Sequence, residues 1–117
     1  MPQANVEMQV RKVNDQVGIV DVRGELTSFA ENALMDAYTK AGGESVRAMI
    51  LNLSELEYMN SSGIGLLVTL LIRMKRHKQR LLACGLSEHY QHIFELTRLN
   101  EAIGIYDTEA EALAAVG

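Results

Sequence analysis

The alternation of short apolar runs with amphipathic segments constrains the fold of this chain more than any other feature. Two β-type runs come first, at residues 6–13 and 17–22, with a turn at residues 14–16 between them. We expect Gly24 to end the second run. Helical and strand-like segments then alternate to the end of the chain. The order β-β-α-β-α-β-α-β-α predicts an α/β fold with a mixed, mostly parallel sheet, an N-terminal hairpin and about four helices.

The predicted helices begin at residues that can cap them. Ser28 opens the first helical segment, at residues 28–40, and Ser87 opens the third. Thr108, followed three residues later by Glu111, forms a capping box before the fourth. The first segment carries an apolar stripe at helical spacing, made of Phe29, Ala33, Leu34, Ala37 and Tyr38.

Three further apolar runs, at residues 46–53, 80–86 and 102–107, are short enough to be strands. We expect the first to be a buried central strand because it is short, mainly apolar and flanked by polar residues, and the last to be an edge strand. The only proline is Pro2, and no repeat or low-complexity stretch interrupts the pattern. The chain is therefore predicted to form a single domain over residues 1–117.

Composition limits the partners and the compartment. The net charge of −4 argues against binding nucleic acid through general phosphate attraction. The single cysteine, Cys84, cannot form an internal disulfide, which favours a reducing compartment. The N-terminus lacks an apolar signal core, and the apolar run around residues 63–72 is about half the roughly 20 residues that a membrane span needs. We expect a cytoplasmic protein that neither inserts into membranes nor binds nucleic acid directly.

The stretch EYMNSSGIGLL, at residues 57–67, places two serines directly after the predicted buried strand. Binding sites in parallel sheets favour the loops that follow the carboxyl ends of strands, and we expect YMNSSG, at residues 58–63, to lie in such a loop. Asn60, Ser61 and Ser62 can all cap the helix that follows, and one cap suffices. A phosphate added here would meet free N–H groups and the positive end of the helix dipole. The residues alone leave structural capping and phosphorylation both open.

The helix after the serines has apolar residues on two sides. A helical wheel predicts a core face made of Ile64, Leu67, Val68, Leu71 and Met74. Leu66 falls on the opposite side, where it is either an isolated exposed leucine or part of a docking patch beside the serines. Gly63 has no side chain, so a partner's backbone could approach it closely. The cations at residues 73–80 complement the dipole at the end of this helix, and an anion site is the less favoured interpretation.

Other chemistry has weaker support. His89 and His92 are spaced for a metal, but no third ligand is fixed, so we predict no metal site. Cys84 lies in an apolar run and is predicted to be a buried hydrophobic residue. No nucleotide-binding motif occurs, and the serines do not form a G-x-S-x-G elbow. We expect no catalytic residue and no cofactor, and a small hydrolase is the weakest hypothesis.

Four segments resemble the anti-sigma factor antagonists of the STAS domain family: GEL at 24–26, MILNLSEL at 49–56, YMNSSGIGLL at 58–67 and the run at 81–99. The resemblance implies a STAS-like fold and a partner that is both an anti-sigma factor and a serine kinase. In that family the unphosphorylated antagonist binds this partner and releases the sigma factor. Phosphorylation of the first serine blocks binding, and a phosphatase restores it. That serine corresponds to Ser61.

The resemblance also implies a contact surface, which comprises Glu25, Thr27, Asn60, Ser62, Gly63 and Leu66. Two of these positions depart from the family pattern. Family members commonly have aspartate where this chain has Asn60 and where it has Thr27, so both departures remove negative charge. The alternative within the same fold is a non-phosphorylated STAS scaffold, stressosome-like or associated with a transporter.

Overall fold

The structure is a computed structural model, and it describes residues 5–116 of the chain. Five strands form one sheet, and four α-helices lie along the chain between and after them. The strands are β1 (Val6–Lys12), β2 (Val17–Leu26), β3 (Ala48–Met59), β4 (Arg80–Cys84) and β5 (Gly104–Tyr106). The helices are α1 (Glu31–Lys40), α2 (Ser61–Arg76), α3 (Glu88–Leu96) and α4 (Glu109–Val116).

The sheet has the strand order β1-β2-β3-β4-β5, so neighbours in sequence are neighbours in space. β1 pairs antiparallel with β2, while β2–β3, β3–β4 and β4–β5 are parallel. Asn14 stabilises the hairpin turn, since its side-chain oxygen accepts hydrogen bonds from the N–H groups of Gln16 at 2.8 Å and Val17 at 3.0 Å. The predicted hairpin, mixed sheet and four helices are confirmed.

The two faces of the sheet are covered unequally. On one face, buried residues of α1, α2 and α3 pack with β2, β3 and β4 into the main core, in which Tyr38, Leu67 and Phe94 are nearly inaccessible. On the other face, Ala112 of α4 packs into a smaller cluster with residues such as Ile50. No helix in residues 5–116 is long and apolar enough to cross a membrane.

Two strands extend further than the sequence predicted. Gly24 does not end β2; it has φ = +97° at an irregularity in the β2–β3 register, and the strand continues to Leu26. A side chain at Gly24 would meet the Asn5 carbonyl oxygen at 2.4 Å, so the glycine permits a close approach within the sheet. β3 likewise continues to Met59. The serines therefore follow the strand after a single residue and do not lie in a loop.

The predicted caps have mixed outcomes. Ser87 accepts a hydrogen bond from the Tyr90 N–H at 3.4 Å, and Thr108 accepts one from the Glu111 N–H at 3.2 Å, which confirms both caps. The Ser28 prediction is wrong, because a short 3-10 turn (Ser28–Ala30) precedes α1. Thr27 caps that turn instead, accepting from the Phe29 N–H at 3.3 Å.

Candidate functional site

Asn60 alone makes the junction between β3 and α2. Its backbone is extended (φ −102°, ψ −177°), and its side-chain oxygen accepts a hydrogen bond from the Gly63 N–H at 2.9 Å. The Asn60 carbonyl accepts a further bond from the Ile64 N–H at 3.0 Å. Of the three residues able to cap this helix, the asparagine therefore does so.

Ser61 and Ser62 are the first two residues of α2, and both are exposed. Within residues 5–116, neither hydroxyl makes a hydrogen bond to another protein group. The first N–H groups of a helix lack partners inside it and carry the positive end of its dipole. Two hydroxyls that do not cap the helix thus stand where added negative charge is tolerated.

The junction is held from below by the sheet and by α3. Met59 pairs with Leu26 in the β2–β3 register, and the Asn60 N–H donates to the Leu26 carbonyl at 3.4 Å. The Met59 N–H donates to the hydroxyl of Tyr90 at 2.8 Å, and this bond is buried. These contacts fix the backbone directly before the serines.

Gly63 has a different role from the one predicted. It is buried, and a Cβ built on it would lie 1.9 Å from the Leu26 carbonyl oxygen and 2.7 Å from the carbonyl carbon. The glycine is required because α2 contacts the end of β2 backbone to backbone. The space beside Gly63 is filled by the protein itself, and a partner's backbone has no access to it.

The prediction that Leu66 is exposed is wrong, because only 8% of it is accessible. The contact of Gly63 with Leu26 fixes the rotation of α2, and residues at spacings of three and four from Gly63 then face the core. Ile64 and Val68, predicted to be core residues, are only half-buried. The buried face consists of Gly63, Leu66, Leu67, Leu70, Leu71 and Met74.

Two exposed aromatic residues near this junction were missed by the sequence analysis. Phe29 is 56% exposed, because it lies in the 3-10 turn after β2 and not on the apolar stripe of α1. Tyr58 is 48% exposed and pairs in register with Glu25 on β2. Met59 belongs to the main core, so its neighbour Tyr58 in β3 points to the opposite face of the sheet.

Three carboxylates lie near the carboxyl ends of β2 and β3. Glu25 is half-buried on β2, Glu57 is exposed on β3, and Glu31 is exposed at the start of α1. Thr27 is half-buried beside them. This edge of the sheet therefore carries exposed hydroxyls, exposed aromatic rings and carboxylates, a composition that occurs at protein–protein contacts.

The remaining candidates are structural. Cys84 is buried in β4, and burial raises the pKa of its thiol, so the prediction of a buried hydrophobic residue is confirmed. His89 packs edge-on against Tyr90, with ring centroids 4.9 Å apart, and His92 lies 4.0 Å from Glu95. Across residues 5–116, no group of three or more His, Cys, Asp or Glu side chains is arranged to hold a metal ion.

Comparison with known proteins gives consistent matches over most of the chain. The STAS domain family model matches residues 8–112. An anti-sigma-B factor antagonist of Staphylococcus aureus is 30% identical over 93 residues, which cover 79% of this chain and 86% of the relative. Among solved structures, an anti-sigma factor antagonist from Mycobacterium paratuberculosis superposes with a TM-score of 0.80 at 24% identity, covering 98% of both chains. The Bacillus cell fate determinant SpoIIAA in its phosphorylated form superposes with a TM-score of 0.74 at 23% identity, covering 95% of this chain and 100% of that one.

Proposed function

This chain belongs to the STAS domain family, and we propose on that basis that it is an anti-sigma factor antagonist. The observation that carries the proposal is the exposed Ser61-Ser62 pair at the first turn of α2, with the capping role taken by Asn60. The name of the Staphylococcus aureus relative supports the antagonist role. The partner in this proposal is an anti-sigma factor that also acts as a serine kinase.

The switch in this proposal is phosphorylation of Ser61. A phosphoserine adds nearly two negative charges, and at the first position of a helix it faces unpaired N–H groups and the positive end of the dipole. The fold therefore tolerates the modification, while the phosphate adds negative charge to an edge of the sheet that already carries the exposed Glu31 and Glu57. We expect the unphosphorylated form to bind the partner, the phosphorylated form to release it, and a serine phosphatase to reset the switch.

The contact surface that we propose differs in part from the one the sequence suggested. Glu25, Thr27, Asn60 and Ser62 are at least partly accessible, and Phe29 and Tyr58 add exposed aromatic area to them. Aromatic side chains are enriched among residues that dominate binding energy. Gly63 and Leu66 lie beneath this surface, so we assign them to positioning α2 and not to contact.

The experiment that tests the switch is phosphorylation by the cognate kinase with ATP, followed by intact mass and peptide mapping. We expect the mass of one phosphoryl group, mapped to Ser61. The matched controls are Ser61→Ala, which should remain unmodified, and Ser62→Ala, which should be modified like wild type. Modification mapping to Ser62, or persisting in Ser61→Ala, would contradict the assignment.

Partner capture tests the electrostatic part of the proposal. In a pull-down from the native cell, wild type and Ser61→Ala should retain the anti-sigma factor, whereas Ser61→Asp should lose it. Thermal unfolding of Ser61→Asp should stay close to wild type, because Asp is favourable at the start of a helix. Equal capture by wild type and Ser61→Asp would count against the switch.

The replacement of two acidic family positions favours a second candidate function. Asn60 caps α2 without a charge, and Thr27 caps the 3-10 turn, so neither supplies the carboxylate that kinase recognition would encounter in other members. The second candidate is a STAS scaffold, or a transporter-associated subunit, that binds its partner without being phosphorylated. A stable complex after incubation with the kinase and ATP, with no gain in mass, would favour it.

A further inference from the structure

The edge of the sheet opposite the serines carries most of the cations. β1 ends at this edge, β3 and β4 begin there, and α2 ends there. Within residues 5–116, none of the following cations forms an ion pair with a carboxylate: Lys12, Arg47, Lys75, Arg76, Lys78 and Arg80. The dipole of α2 explains cations in its last turn, but Lys12 and Arg47 belong to other elements. The cluster of cations at this edge therefore extends beyond α2.

A groove of about 760 Å³ lies at this edge, between the hairpin turn, the starts of β3 and β4, and the end of α4. Among residues 5–116, the cations that line it are Arg47, Lys78 and Arg80, and the one acidic side chain is Asp15. Its apolar wall includes Val13, Val17, Leu113 and Val116, and Val13 is 45% exposed. An apolar wall and a cationic rim thus share one concave surface.

Backbone contacts build the rim. The Arg47 N–H donates to the Gln16 carbonyl at 2.8 Å, and the Arg80 N–H donates to the Arg47 carbonyl at 2.9 Å. The Arg80 guanidinium donates to the Ala115 carbonyl at 2.9 Å, which ties it to the end of α4. Lys78 has φ = +58° in the turn between α2 and β4. The backbone positions of Arg47 and Arg80, and the guanidinium of Arg80, are therefore set by the fold.

We infer that this groove binds an anionic amphiphile, with its carboxylate or phosphate head on Arg47, Lys78 and Arg80 and its hydrocarbon chain along Leu113 and Val116. Cations alone would suit nucleic acid or free phosphate, and an apolar wall alone would suit any hydrophobic ligand. Only a ligand with both chemistries uses both halves of the lining, and buried apolar area adds affinity with each methylene. The net charge of −4 further disfavours nucleic acid. The inference does not depend on the Ser61 switch, which lies at the other edge of the sheet.

The test is titration of the ¹⁵N-labelled protein with decanoate below its micelle concentration, followed by amide chemical shifts. We expect saturable shifts confined to residues 13–17, 47–48, 78–80 and 113–116. Acetate, which has the head group alone, and decyltrimethylammonium, which has the opposite charge, should not produce them. Saturable binding of decyltrimethylammonium in the groove, or shifts spread over the whole surface, would overturn the inference.

Matched variants distinguish binding in the groove from general attraction of an anion to the positively charged edge. Arg47→Gln with Lys78→Gln should lower the affinity for decanoate by about tenfold or more, since two cations leave the rim. Arg76→Gln removes a cation from the same edge but outside the groove lining, and it should leave the affinity within about twofold. An equal loss in both would overturn the proposed site. The amide spectrum of each free variant reports whether it is folded.

Vesicle sedimentation distinguishes the source of the amphiphile. If decanoate binds and phosphatidylglycerol vesicles also sediment the protein through the same two cations, the ligand is an anionic lipid at a membrane surface. If decanoate binds and vesicles do not, the ligand is a free single-chain amphiphile. Sedimentation with anionic vesicles in the absence of decanoate binding would overturn the groove site, because surface charge alone would explain it.

Discussion

Two neighbouring strand-to-helix junctions lie side by side at the carboxyl edge of the sheet, and they are built differently. After β3, Asn60 leads directly into α2, and Gly63 contacts the Leu26 carbonyl. After β2, Thr27 leads into a three-residue 3-10 turn before α1, and Phe29 is left exposed. The first junction presents hydroxyls on a fixed backbone, whereas the second presents an aromatic ring on a short, weakly capped turn. A hydroxyl pair on a fixed backbone and an exposed ring on a short turn thus share one edge of the sheet.

The largest expected effect concerns the backbone contact at the β3–α2 junction. Gly63→Ala places a Cβ 1.9 Å from the Leu26 carbonyl oxygen, so α2 or β2 must move. We expect a loss of about 3 kcal/mol in the free energy of unfolding, at the upper end for overpacking. Urea unfolding measures it.

Gly65→Ala is the control for that change, because no atom lies within 4 Å of the Cβ position there. Since alanine is the better helix former, it should stabilise the protein by about 0.5–1 kcal/mol. If both variants unfolded at the same urea concentration, the close contact would not be what fixes α2.

The next largest expected loss of stability comes from breaking the buried hydrogen bond between Met59 and Tyr90, which supports the same junction. Tyr90→Phe removes the hydroxyl that accepts the Met59 N–H and leaves that donor buried without a partner. We expect a loss of about 1–3 kcal/mol in the free energy of unfolding. Tyr58→Phe, which changes an exposed ring, should cost little. An equal loss for the two variants would show that the bond does not support the junction.

The cap at the β3–α2 junction should contribute more to the free energy of unfolding than the cap at the β2–α1 junction. Asn60→Ala removes the cap of α2, a sixteen-residue helix, and should cost about 1 kcal/mol. Thr27→Ala removes a longer bond that caps only a three-residue turn, so we expect about 0.5 kcal/mol or less. Asn60→Asp keeps the acceptor, adds charge at the positive end of the dipole, and should be at least as stable as wild type. Denaturant unfolding measures all three variants. A larger loss of unfolding free energy in Thr27→Ala than in Asn60→Ala would show that the Asn60 cap is not the stronger one.

The smallest expected change in stability belongs to the exposed ring at the β2–α1 junction. Phe29→Ala should change the free energy of unfolding by less than about 0.5 kcal/mol, because the side chain is mostly in solvent. If this ring contacts the anti-sigma factor, the same variant should weaken binding by about tenfold, measured by calorimetry with the purified partner. Leu96→Ala, also at an exposed apolar residue, is the control and should bind normally. Unchanged binding of Phe29→Ala would remove this junction from the contact surface.

Most of the architecture followed from patterns that are local in sequence. Alternating apolar runs and amphipathic segments gave the element order, and the residues around Asn14, Ser87 and Thr108 marked a turn and two helix starts that the structure confirms. These features depend on hydrogen bonds between residues two or three positions apart. Short-range spacing is sufficient to predict them.

The exposed state of Ser61 and the buried state of Leu66 depended on contacts between distant segments. The apolar residues of α2 form two overlapping stripes, one through Ile64 and one through Leu66, and helical periodicity fits both. Only the approach of Gly63 to Leu26 selects the second stripe. The sequence by itself therefore determined which segments are strands and helices and that two serines begin α2, because those properties are local. The tertiary structure decided which side of α2 faces solvent, how far β2 and β3 extend, and that Phe29 and Tyr58 are exposed. Each of these depends on packing between segments that are far apart in the chain.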